Sequence, residues 1–186
     1  MQTKTPERHF FEYAFPVINL CGGYHTITLP ISTKDSKPIT PLYPIDFSDK
    51  SRLQEMLLSG DSPSRKELEQ RFPNATKGLR ELAETQNPDE YWTPENVEEY
   101  WLREHNKQVV ALCKIYFKKV IEPTSKGARI KFSEFMNTNY ESQTPTKKGD
   151  IISIHNKKII EVLTPEQIEK YAPEFSTSDR NASVYN

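Results

Sequence analysis

The chain has 186 residues, with 25 Lys and Arg against 26 Asp and Glu and only 35% apolar side chains; its mean hydropathy is -0.75 and its pI about 6.4. The length allows one well-buried domain or two small ones. The near-neutral charge offers no bulk attraction to nucleic acid or anionic lipid, no run approaches the roughly 18 apolar residues of a bilayer span, and Met1 to Arg8 lacks the apolar core of a signal peptide, so a cytoplasmic protein without nucleic-acid or membrane partners is expected.

The aromatic-rich stretch from Pro6 to Leu20, with Phe10, Phe11, Tyr13 and Phe15, reads as a helix or a buried extended piece, broken or kinked by Pro16 and ended by Gly22-Gly23. Alternation in Tyr24-His-Thr-Ile-Thr-Leu29 reads as a short strand. Four prolines between Pro30 and Pro44 then fix extended backbone and remove donors, which predicts a loop. Ser48 or Asp49 can cap a helix through Leu57-Leu58 that stops at Gly60. Ser62 or Ser64 can cap another over Leu68 and Phe72, and Asn74 starts a third through Leu79 and Leu82. Thr93-Pro94-Glu95 is a further helix start, with Val97, Tyr100 and Trp101 on one face.

After Asn106 the period changes. Cys113, Ile115 and Phe117 alternate with Lys114, Tyr116 and Lys118, the pattern of a half-buried strand. Pro123 to Gly127 supplies a turn and Ala128 to Phe132 the returning strand, while Ile151–Ile154 and Ile159–Val162 form a second hairpin across His155-Asn-Lys-Lys158. Thr164-Pro-Glu-Gln167 is a capping box for a last helix. Short hairpins leave exposed edges unless they close. The expected fold is therefore α+β: a mainly helical, proline-interrupted part over 1–105, a small antiparallel OB-like barrel with a terminal helix over 106–172, and a polar tail over 173–186. Cys113, Ile115, Phe117, Ile130, Phe132, Ile152 and Ile154 are the expected barrel core.

Two cysteines, Cys21 and Cys113, make no disulfide framework, and both are expected as free thiols open to packing, metal binding or chemistry. A thiolate at Cys113 and an imidazole at His155 would suit a soft metal. Cys113 through Glu122, then Ala128-Arg-Ile-Lys-Phe132, then Gly149-Asp-Ile-Ile-Ser-Ile-His155 and Ile160-Glu161 with a following helix resemble the HypC/HupF-type [NiFe]-hydrogenase assembly chaperones. The resemblance covers residues 113 to 172. It implies an accessory, chaperone-like protein that works through a protein partner, and it implies that Cys113 and His155 hold an iron fragment. The chain differs from the family pattern in its internal cysteine, in Phe117 and Lys118 where that pattern has proline and glycine, and in Asn156-Lys157-Lys158 after the histidine.

A rival constellation is Cys21-Gly22-Gly23-Tyr24-His25. Together with His155-Asn156 it has the ingredients of a cysteine-dependent hydrolase. Such a nucleophile gains from starting a helix, whereas Cys21 follows an apparent one. A barrel that binds a partner without chemistry of its own is the third reading. His105, beside Glu104 and Asn106, is expected as a polar helix end that satisfies its last carbonyls.

Overall fold

A computed structural model of the chain describes residues 4–17, 47–108, 114–133, 136–142 and 144–176. Cys21, His25, the strand expected over 24–29, the loop over 30–44 and Cys113 all lie outside the described residues. The architecture is α+β, with helices preceding a closed barrel of five strands. Two compact units divide the chain, Met1–Tyr100 and Trp101–Asn186.

In the first unit, helix starts follow local chemistry. Helix α1 (Pro6–Ala14) is capped by Thr5, whose hydroxyl accepts from the Arg8 amide at 3.2 Å. Helix α2 (Phe47–Ser59) ends at Gly60, where φ is +89°, and Arg8 donates to the Met56 and Leu57 carbonyls that the helix end leaves open. Ser64 caps α3 (Arg65–Arg71), Pro73 opens α4 (Pro73–Ala83), and Asn87 caps the single turn of α5 (Pro88–Tyr91). Thr93 accepts from the Asn96 amide at 3.1 Å to start α6 (Pro94–Glu99). The apolar stripes of these helices meet in an aromatic core. Phe10 is fully buried and meets Trp92 edge-on at 4.8 Å and Phe72 at 6.1 Å, contacts worth about 1 kcal/mol each beyond area burial.

In the second unit the chain continues as a π-helical turn (Tyr100–Glu104, with Trp101 onward in this unit) and a final helical turn α7 (His105–Gln108). The barrel follows: β1 (Ile115–Thr124), β2 (Gly127–Ser133), β3 (Met136–Ser142), β4 (Ile151–His155) and β5 (Lys158–Val162), in the spatial order β1-β2-β3-β5-β4. All neighbours are antiparallel except β3 and β5, which meet in parallel through only two residue pairs, Glu141 with Lys158 and Ser142 with Ile159. Asn156 and Lys157 both have positive φ, the signature of a two-residue primed turn between β4 and β5. Helix α8 (Pro165–Tyr171) starts with the full capping box: the Thr164 hydroxyl accepts from the Gln167 amide, and the Gln167 side chain accepts from the Thr164 amide.

Val120, Ala128, Ile130, Ile152, Ile154 and Ile159 form the barrel core. This corrects the phase read for β1. Its register sets Ile115 opposite His155 and Phe117 opposite Ser153, while Tyr116 and Lys118 lie opposite Ile154 and Ile152. Residues that face each other across a ladder share a side, so Ile115 and Phe117 lie on the outer face and Val120 carries the strand's contribution to the core. The Phe132 side chain lies outside the description.

The narrow parallel seam carries an ion pair, with Lys158 Nζ 2.7 Å from Glu141 Oε2. The hydrogen bond from Lys158, and then its charge, hold the Glu141 carboxyl below its ordinary value. A carboxyl lowered by folding contributes stability that is complete above its unfolded pKa and is lost as pH falls through the folded one. Both side chains are more than half exposed, so the contribution is small and screened by salt. Glu141→Gln should melt slightly below the parent at neutral pH and together with it in acid; parallel melting curves at every pH would remove the pair from the seam's stability.

Candidate functional site: a buried histidine pair on the outer face of the barrel

All five residues of β4 are buried. Ile152 and Ile154 face the barrel core, so Ile151, Ser153 and His155 must be covered from outside. Trp101 and His105 supply part of that cover. The Trp101 ring lies 4.8 Å from His105 and 5.8 Å from His155, and the two imidazoles meet edge-to-face at 5.3 Å. Trp101 and His155 are 0% exposed and His105 is 3% exposed. His155 thus sits inside the unit, and His105, which opens the last helical turn instead of ending one, packs its ring against that of His155.

The positioning has a local cause. Asn106 presents its side-chain amide to the first residue of β1: Nδ2 donates to the Ile115 carbonyl at 2.9 Å, and Oδ1 accepts from the Ile115 amide at 2.7 Å. The side chain thereby occupies the place of a neighbouring strand's peptide. Because Ile115 is the register partner of His155, fixing Asn106 on Ile115 brings its neighbour His105 onto His155. The π turn just before His105 adds a residue to the helical repeat and resets which side chains share a face.

Ser153 and Glu161 are register partners on the same outer face, and both are buried. The face is therefore polar although enclosed, a combination that costs stability unless its groups are hydrogen-bonded. Nearby, a separate cleft of about 220 Å³ between the strand ends and α8 is lined by Lys119, Asp150, Ile151, Leu163, Ile168 and Phe175, among others, and includes neither histidine.

Of the expected metal ligands, His155 is placed as above and Cys113 lies outside the described residues, two positions before Ile115. Among the described residues no three His, Cys, Asp or Glu side chains gather as a metal site would require. Among the described residues, no helix is long and apolar enough to cross a membrane. Neither a family model, nor a curated protein, nor a solved structure matches the chain.

Proposed function

We propose that the chain is an accessory, chaperone-like binding protein, similar to hydrogenase maturation factors, that acts through a protein partner in the cytoplasm and holds an iron-containing fragment as its cargo. The observation that carries the reading is the position of His155: it ends β4 opposite Ile115, two residues from Cys113, and its ring rests on that of His105. A thiolate from Cys113 and imidazole nitrogen from His155 would be the ligands. Soft sulfur and neutral imidazole together suit iron in a low oxidation state. The closed five-stranded order supports an OB-like assignment.

Anaerobically prepared protein tests the reading by ferrous-ion binding and by identification of the proteins it retains. Cys113→Ser and His155→Gln should each weaken iron binding at least about tenfold while circular dichroism stays unchanged. Retention of a protein partner should survive Cys113→Ser. The complete burial of His155 favours one alternative, a barrel that binds its partner without chemistry. That alternative stands if no iron binds and both variants retain the partner.

A further inference from the structure

We propose that a second copy of this chain pairs with the edge of β3 that no described strand covers, joining two barrels through an antiparallel ribbon centred on Thr138. Strand β3 pairs with β2 from Met136 to Glu141, with a register shift between Lys131 and Ser133, but on its other edge it meets β5 only at Glu141 and Ser142. Among the described residues no strand pairs with that edge over Met136–Tyr140. A row of backbone donors and acceptors is thus presented for another strand, and proteins ordinarily block such rows with lysine, proline or a bulge. The edge sequence Met-Asn-Thr-Asn-Tyr has no charge and no proline.

The occupant is indicated by the self-complementarity of these five residues. Antiparallel pairing about Thr138 sets Met136 opposite Tyr140 of the second copy, Asn137 opposite its Asn139, and Thr138 opposite itself. Met136 is 49% exposed and its side chain is open to the second copy. Its counterpart, Tyr140, is half-buried against the barrel core. The pairing would therefore extend the apolar side of one sheet directly into that of the other. On the opposite side, the register puts Lys131 beside Asn137 and Arg129 beside Asn139. The asparagines stand between the basic residues of the two copies, so no like charges meet directly.

A ribbon of five residues is smaller than a standard interface, so association in the range of about 1–100 μM is expected. Sedimentation over this range should show a monomer–dimer equilibrium. Asn137 and Asn139 are exposed, so replacing both with lysine leaves the core intact and places like charges opposite each other at both ends of the ribbon. That variant should dimerise at least about tenfold more weakly with an unchanged circular dichroism spectrum, as should the corresponding double glutamate variant. An equimolar mixture of the two should recover the dimer. Parent protein that remains monomeric up to about 0.5 mM, a lysine variant that dimerises like the parent, or a mixture that fails to recover association would each overturn the proposal.

Discussion

Gly127→Ala is expected to destabilise the barrel unit by roughly 3 kcal/mol or more. Gly127 opens β2 with φ at +156°, and a Cβ there would collide with the carbonyl oxygen of Tyr140 and approach the Ser142 amide nitrogen to 2.8 Å. These are backbone atoms of the neighbouring strand, so no side-chain rotation relieves the clash. Relief requires β2 and β3 to part at the Gly127–Glu141 pair, next to the two residue pairs that close the barrel. Gly60→Ala is the control. Its φ of +89° also disfavours alanine, yet an added Cβ meets nothing within 4 Å, so a loss of only about 1–2 kcal/mol is expected. Urea unfolding of the three proteins decides the matter; equal losses for the two variants would mean that the close approach at Gly127 is not maintained in solution.

Trp101→Ala should cost about 3–5 kcal/mol, the range for removing a fully buried large aromatic side chain. The indole is 0% exposed and lies tilted against both imidazoles, so its removal leaves a cavity against two polar rings. Trp101→Phe keeps an aromatic surface and should lose only part of that stability. If the chain binds ferrous ion as proposed and Trp101 matters mainly as cover for the histidines, the phenylalanine variant should keep that binding while the alanine variant loses it. A loss below about 1 kcal/mol for Trp101→Ala would show that the histidine pair is held together by other contacts.

The elements legible in the sequence are those fixed by short-range chemistry. Ser64, Thr93 and Thr164 announce helix starts because a cap needs only its own amide partner three residues on. The β4–β5 hairpin is equally plain, with isoleucine runs on either side of a short turn. Strand β3 leaves no such trace, since exposed or half-exposed positions make up its whole length and polar residues can occupy them. The phase of β1 is ambiguous for a different reason. Apolar residues occur at 115 and 117 and again at Val120, and the choice between faces depends on the cover over Ser153 and His155. The place of His105 was hidden most fully, because a π turn escapes a 3.6-residue pattern and the Asn106 bond to Ile115 joins segments that no local signal connects.

The parallel seam between β3 and β5 also bears on how the barrel is assembled. The three antiparallel hairpins or hairpin-like pairs can form early, but Glu141 must find Lys158 and Ser142 must find Ile159 across an intervening strand, and only two residue pairs reward that search. Loop closure is paid before such contacts return anything. The seam is therefore expected to zip late and to open early. Native-state hydrogen exchange should find its amides opening far below the free energy of global unfolding, while those of Ile152 and Ile154, buried in the core, exchange only when the whole unit unfolds.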